Sequence, residues 1–288
     1  MTYENLRKIQ EQQLRIMDEI HKLCVKKNYR YYMIGGSALG AVRHKGFIPW
    51  DVDIDIAMPR KDYDAFSTDG YKDLPDFLEF HDYRKDKEFV IPHPIVSLKG
   101  SKLELSCGRE INNKYGIYVD ILPLDQWPEN DDKKKKQMKS LKHINVLSKL
   151  YNGDEYKENP MIVRLVKKMM RLLMHCLYSS FELNQKRDNI VSMFHTEDEG
   201  SLWCSMLSHY SLDKLTMDKE IFGVPILAEF EGRQYYIPQK PELYLQHLFN
   251  DYNKLPSIKQ QQKLMNLFSY AFWIDKNGIK NEIGHERN

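Results

Sequence analysis

The segment Trp50-Asp51-Val52-Asp53-Ile54-Asp55-Ile56 sets an acid at every second residue, with a branched aliphatic side chain in each gap. Extended backbone sends successive side chains to opposite faces, so Asp51 to Met58 reads as a β-strand. Val52, Ile54 and Ile56 share one face and can enter a core. Asp51, Asp53 and Asp55 share the other. Like charges at this spacing repel and raise one another's pKa unless something neutralises them. A hard divalent cation such as Mg²⁺ or Mn²⁺ is the economical partner for such oxygens. A solvated strand edge with no ligand is the plainer alternative.

Just upstream stands Ile34-Gly35-Gly36-Ser37, preceded by the Tyr-rich stretch Arg30 to Ile34. The pattern is a strand, a glycine turn, and a short helix over Ala38 to Arg43 with Ser37 as its cap. Free N–H groups at a helix start bind phosphate, and glycine lets the backbone approach it closely. Gly36 and Ser37 are therefore candidates for holding a phosphate. Alone, Gly-Gly-Ser is equally an ordinary capped turn. Followed by the acidic strand, it pairs phosphate binding with metal binding. Arg43, His44 and Lys45 lie between the two motifs and could clamp phosphate oxygens, or simply close the helix with favourable charge.

Val119-Asp120-Ile121 repeats the apolar-acid-apolar pattern within a second strand, Tyr115 to Leu122, closed by Pro123. Beside the first acidic strand, Asp120 could ligate metal or act as general base. It could also be a cap residue, since Pro123 and Asp125 suggest a nearby loop.

Around these motifs, Leu6 to Lys27 has the spacing of an amphipathic helix, and Lys61 to Ser67 and Pro241 to Phe249 predict two more. Ile95 to Lys99 and Lys102 to Ser106 predict strands joined through Gly100-Ser101 as a hairpin. Asp131 to Lys142 is a charge run, and Met161 to Phe181 predicts one long helix. In it Arg164, Lys167, Lys168, Arg171 and His175 form a cationic stripe, opposite Met and Leu positions. That design suits either a packed helix with a solvated basic face or peripheral contact with an anionic membrane. The whole is α+β: a small mixed or antiparallel sheet flanked by helices, with a helical insertion over roughly residues 130–215 of a single domain, 1–288.

The chain has 288 residues and a net charge of only +2, so no global field favours nucleic acid as a partner. Four cysteines, Cys24, Cys107, Cys176 and Cys204, share no zinc-type spacing. Met1 to Gln13 is polar, unlike a signal peptide, and no apolar run reaches the length of a membrane span. A cytoplasmic protein, working at most at the inner face of the membrane, is expected.

Gly35 through Asp55, read as one block, closely resembles the signature of the LicD family, within the polymerase-beta-like nucleotidyltransferase superfamily and related to fukutin-type proteins. The resemblance continues through Met58-Pro59-Arg60 and Tyr63. It returns at Gly116 to Asp125 and at Phe222 to Pro256, and skips roughly residues 130 to 215. It implies a nucleotidyltransferase-like core in which Gly36 and Ser37 hold donor phosphates while Asp53, Asp55 and Asp120 bind Mg²⁺ or Mn²⁺. It further implies transfer of a phospho-substituent, phosphocholine above all, from a CDP-linked donor to a hydroxyl of a cell-surface glycan or its lipid-linked precursor, releasing CMP. The family has three consecutive aspartates after the tryptophan. Here Val52 replaces the middle one, and strand alternation turns it away from Asp53 and Asp55. Choline is a quaternary ammonium that aromatic faces bind, which makes Trp50, Tyr31, Tyr32 and Tyr63 candidates for contact. Two other functions fit the same acids: transfer of NMP from an NTP with release of pyrophosphate, and a non-catalytic nucleotide- or glycan-binding scaffold.

Overall fold

A computed structural model describes residues 2–105, 115–153, 161–195, 200–265, 268–274 and 278–284. Ser106 and Cys107 lie outside this set. Helix α1 (Tyr3–Lys27) opens on Thr2, whose hydroxyl accepts from the Asn5 N–H, and stops at Asn28 in the left-handed conformation. Its buried face carries Leu6, Ile9, Ile16, Met17 and Ile20. Strand β1 (Tyr32–Met33) leads into α2 (Gly35–His44), and β2 (Asp55–Pro59) into α3 (Arg60–Thr68). After β3 (Leu78–His81), β4 (Ile95–Leu98) and β5 (Lys102–Leu105) comes the long strand β6 (Tyr118–Gln126).

The main sheet runs β1-β2-β6-β4-β3, and β6 also pairs with β7 (Leu202–Cys204), which pairs with β8 (Thr216–Asp218). Only β2 and β6 run parallel; the other pairs are antiparallel, so the sheet is mixed. The chain is α+β, as its patterning predicts. Helices α4 (Asp131–Asn152), α5 (Met161–Leu177) and α6 (Ser180–Val191) lie between β6 and β7. Then follow α7 (Leu212–Leu215), α8 (Lys219–Phe222), the hairpin of β9 (Ile226–Phe230) and β10 (Arg233–Ile237), α9 (Pro241–Phe249) and α10 (Ile258–Met265). Strands β11 (Phe268–Ile274) and β12 (Lys280–Gly284) form a separate sheet with β5.

Both faces of the main sheet are covered. Ile54, Ile56, Met58, Val119 and Ile121 join the α1 side chains in one core cluster. Ala57, Leu122 and Leu124 join Leu39, Tyr244 and Leu245 in a second. Each fully buried aliphatic side chain of this kind contributes roughly 1.5–3 kcal/mol. The acids of β2 and β6 therefore share a face with a second core and do not stand on an open, solvated surface.

Four expectations change. The hairpin at Gly100-Ser101 does not form: β3 and β6 already occupy both edges of β4, so β5 leaves the sheet and pairs with β11. Strand β6 does not stop at Pro123 but runs on to Gln126. The Asp120 N–H points to Ile54, just before β2, and the Ile121 N–H points the other way, to Pro94. By that alternation Pro123 faces the gap between β4 and β7, where its missing donor costs no ladder bond. The pattern over Met161 to Phe181 is two helices, parted at Ser179, whose hydroxyl and Glu182 form a reciprocal capping box. Finally, β2 begins only at Asp55, because the Asp51 N–H turns back to the Ile48 carbonyl.

Candidate active site

Asp55 on β2 stands in register with Asp120 on the parallel neighbour β6. Parallel partners in register put their side chains on one face. Asp53, two residues before Asp55 in extended chain, falls on that face as well. Ligand oxygens of Asp53, Asp55 and Asp120 all lie within 4.8 Å of one another. Val52 and Ile54 are buried on the opposite side, so the alternation survives although the segment is not strand.

The backbone here is held by buried polar groups. The Asp55 N–H donates to Ser37 Oγ at 2.9 Å, and the Ile34 N–H donates to the Asp55 carbonyl at 3.1 Å. Gln10 and Gln13 of α1 are fully buried. Gln10 Nε2 donates to the Asp51 carbonyl at 2.8 Å, and Gln13 Nε2 to the Val52 carbonyl at 2.9 Å. Helix α1 thus does more than fill the core: it fixes the segment that carries Asp53.

Burial raises the Asp53 and Asp55 carboxyls well above the usual carboxylate range, and their negative neighbours, Asp51 and Asp120 among them, raise them further. Burial also raises the Tyr118 hydroxyl, with Asp120, Asp53 and Asp55 adding to it. Among the described residues no lysine or arginine forms an ion pair with Asp53, Asp55 or Asp120. Three half-buried carboxylates without a lysine or arginine partner make a donor set of hard oxygens. That chemistry fits Mg²⁺ or Mn²⁺.

Helix α2 starts at the edge of this cluster, but its details differ from the sequence expectation. It begins at Gly35 with Ile34 at the cap position, and no side chain caps it. Ser37 lies inside the helix, and its hydroxyl ties α2 to β2 where a cap was expected. Gly35 has φ +54°, in the left-handed region, and its N–H donates to Tyr244 Oη at 2.9 Å. At Gly36 an added Cβ would come within 2.3 Å of Asp51 Oδ2, so only glycine admits that carboxylate. Asp51 is not one of the three acids that converge within 4.8 Å; its carboxyl covers Gly36 and stays in hydrogen-bonding contact with Asp53. Burial pushes it up to about 6, against the pull of the Val52 N–H and of Asp53.

Arg43, His44 and Lys45 sit at the other end of α2, about 12 Å from Gly36 at 1.5 Å per residue. Arg43 Nη1 donates to the Tyr252 carbonyl, and His44 meets the edge of Trp50 with ring centres 6.3 Å apart. Lys45 ends the helix in the left-handed conformation. The structure does not bring this triplet to the helix start. Trp50 packs half-buried against the second core. Tyr31, Tyr32 and Tyr63 are fully buried, so none offers a ring to a ligand.

Other aromatic groups stand nearer. A narrow cleft beside Gly35 and Asp55 is lined by Tyr210, Tyr244, Ser205 and Ser208 among others. Burial raises the Tyr210 hydroxyl, and Asp51, Asp55 and Asp53 add to it. Sequence patterning gives no hint of Tyr210, because the chain returns to the site from a different region. It also overlooks His93, whose Nε2 lies 2.8 Å from Asp120 Oδ1. The available signal was a histidine between two prolines, Pro92 and Pro94, just before a strand. The Pro94 carbonyl accepts from the Ile121 N–H, which fixes His93 beside Asp120.

Residues 28–149, which include both glycines, the three acids and His93, match the family profile described as LicD/FKTN/FKRP, nucleotidyltransferase domain. The chain is 30% identical over 269 residues to the lipopolysaccharide cholinephosphotransferase LicD of Haemophilus influenzae, covering 88% of this chain and 94% of that protein. An uncharacterised protein of Rickettsia prowazekii is 30% identical over 116 residues, 40% of each chain. One of Rickettsia typhi is 36% identical over 77 residues, 26% of this chain and 24% of that one. Similarity that runs nearly the full length of the Haemophilus protein, together with the family profile over the acidic cluster, makes this chain a member of the LicD family.

Proposed function

We propose that the protein transfers a phospho-substituent, phosphocholine by preference, from a CDP-linked donor to a hydroxyl of a cell-surface glycan or its lipid-linked precursor. The observation that carries this is the convergence of Asp53, Asp55 and Asp120 within 4.8 Å beside an uncapped helix start. The relative in Haemophilus influenzae, named for cholinephosphate transfer to lipopolysaccharide, supports the choice of donor group and acceptor.

Asp53, Asp55 and Asp120 would hold Mg²⁺ or Mn²⁺. When bound, such an ion offsets the charge of the donor's phosphates and of the departing CMP. The chain's own groups do the rest. The start of α2 presents N–H groups and the positive end of its dipole to a donor phosphate. Ser37 Oγ accepts from Asp55 and keeps its own proton for a phosphate oxygen. Asp120 takes the proton of the acceptor hydroxyl as that oxygen attacks phosphorus; the bond to CMP breaks on the opposite side. His93 holds the second partner position of Asp120 and so fixes its orientation. Tyr210, beside the acids, is the aromatic residue best situated for a quaternary ammonium.

The test is a donor screen with purified protein. CDP-choline, CDP-glycerol and CDP-ribitol are each incubated with Mg²⁺ or Mn²⁺ and a glycan acceptor, and CMP release is followed. CMP from CDP-choline, abolished by EDTA, is expected. Pyrophosphate released from an NTP would instead identify a true nucleotidyltransferase. Equal use of the three donors would remove the choline preference.

A further inference from the structure

Helix α5 is amphipathic in sequence but mounted the wrong way round for a helix of a water-soluble core. Of its 17 residues only Met174 is a buried hydrophobic. Met161, Ile162, Leu165, Met169, Leu172 and Leu173 are all more than half exposed, Met161 at 85% and Ile162 at 77%. At 100° per residue these side chains fall within an arc of about 120°, so they form one continuous outward face. The helix is anchored from the opposite side. Met174 is buried, the stem of Arg171 lies against Gly153, and His175 stacks on Tyr151 with ring centres 4.0 Å apart. His175 Nε2 also donates to the Tyr151 carbonyl at 3.1 Å. The fold therefore spends Arg171 and His175 of the polar stripe on attachment to α4, leaves Arg164 and Lys168 exposed, and turns the apolar arc to water. An exposed apolar face of this extent on a folded chain marks a surface that is covered in use.

Charge decides what covers it. Helix α5 carries Arg164, Lys167, Lys168 and Arg171 and no acid. The neighbouring α4 adds seven lysines against Asp131 and Asp132. Two copies of this chain meeting through α5 would bring like-charged flanks together, because a twofold contact matches each surface with itself. A convex single-helix ridge also offers no groove for a partner helix. An anionic bilayer surface satisfies both features: headgroups meet the cations, and the acyl boundary receives the Met and Leu side chains. The helix is about 25 Å long at 1.5 Å per residue, and no described helix is long and apolar enough to cross a membrane. It would lie on the surface and not span it.

We propose that α5 docks the protein flat on an anionic lipid surface, with Met169 and Leu172 inserted and Arg164 and Lys168 at the headgroups. Binding of this kind does not depend on the donor chemistry above. It is tested by cosedimentation of the full chain with vesicles of phosphatidylcholine alone or with about 30% phosphatidylglycerol, in about 50 mM and about 500 mM salt. Binding to the anionic vesicles at low salt is expected, weakened by salt and largely absent with phosphatidylcholine alone. The double substitution Met169→Asp with Leu172→Asp should lower partitioning by at least about tenfold, with thermal stability unchanged. Replacing Arg164 and Lys168 by Gln should lower it less and flatten its salt dependence. Failure of the unaltered chain to sediment with anionic vesicles at low salt would overturn the proposal. So would unchanged binding by the double Asp variant. A dimer in solution that this variant dissociates, without vesicle binding by the parent, would assign the face to a second copy instead.

Discussion

Strands β2 and β6 carry acids at both ends of their shared ladder, and the two ends are built on opposite principles. At one end Asp55 and Asp120 stand in register with Asp53 close by, and among the described residues no arginine or lysine pairs with any of them. At the other, Asp125 is wholly buried and meets Arg60 through two bonds of 2.7 Å each. Arg60 also reaches Asp188 at 2.9 Å, whose other oxygen accepts from Tyr83 Oη. Burial pushes the Asp125 carboxyl up and the guanidinium opposes it. Charge is thus balanced by the chain itself at one end and left for a ligand at the other. The lesson is that acidic residues alone do not mark a metal site; what marks one is the absence of an arginine or lysine partner where burial would demand it.

The largest effect separates the two ends by activity. Asp53→Ala or Asp55→Ala should reduce CMP release from the donor by at least about 10³-fold, roughly 4 kcal/mol of transition-state stabilisation, while circular dichroism stays native. Near-normal turnover by either purified variant would remove the metal-site assignment. Arg60→Ala should do the reverse. It leaves Asp125 buried without a counter-charge, which costs about 3–5 kcal/mol in urea denaturation. The affinity of the folded fraction for Mn²⁺ should stay within about twofold, because the substitution removes no cluster acid. A stability loss under about 1 kcal/mol would mean that Asp125 is protonated or solvated and that the two ends do not differ as described.

These contrasts also mark what sequence patterning can reach. The period-two alternation puts Asp53 and Asp55 on one face regardless of strand assignment, and the geometry follows it even though Ile54 lies outside β2. Period 3.6 and the proline at its start define α9 over the predicted range, Pro241–Phe249. Patterning cannot show that the acidic face is covered by a second core, since that follows from α2 and α9 packing on the sheet. It cannot show that the Asp51 carboxyl covers Gly36, or that His93 and Tyr210 return to the acids from distant segments. It also gives no sign that Arg60 is buried, where Asp64 of its own helix, Asp125 of β6 and Asp188 of α6 converge on it. The Gln10–Gln13 pair was more nearly legible: two amides at i and i+3, beside Leu6 and Ile9, imply buried partners.

The smallest effect tests the unbalanced end through stability alone. A carboxyl whose pKa is raised by folding keeps its proton in the native state at a pH where the unfolded chain has lost it. Asp53 and Asp55 are both raised. Their contribution is therefore complete below the ordinary carboxylate pKa and is lost as pH rises towards their raised values. Without metal, the cluster should grow more destabilising from about pH 4 to neutrality. Asp53→Asn removes one of the repelling charges and keeps the shape. In EDTA at neutral pH it should raise the melting temperature by a few degrees, since about 1 kcal/mol shifts a chain of this size by roughly 2–4 °C. The gain should vanish at about pH 4, where the native acids are protonated in either protein. Added Mg²⁺ should reverse the order, stabilising the parent more than the variant, because the removed charge is also a ligand. The Arg60 network and the lowered Glu231 carboxyl bend both stability curves alike, so the difference between parent and variant isolates the cluster. A variant less stable than its parent in EDTA at neutral pH would mean that Asp53 is already compensated within the chain. The two ends of the ladder would then be built on the same principle.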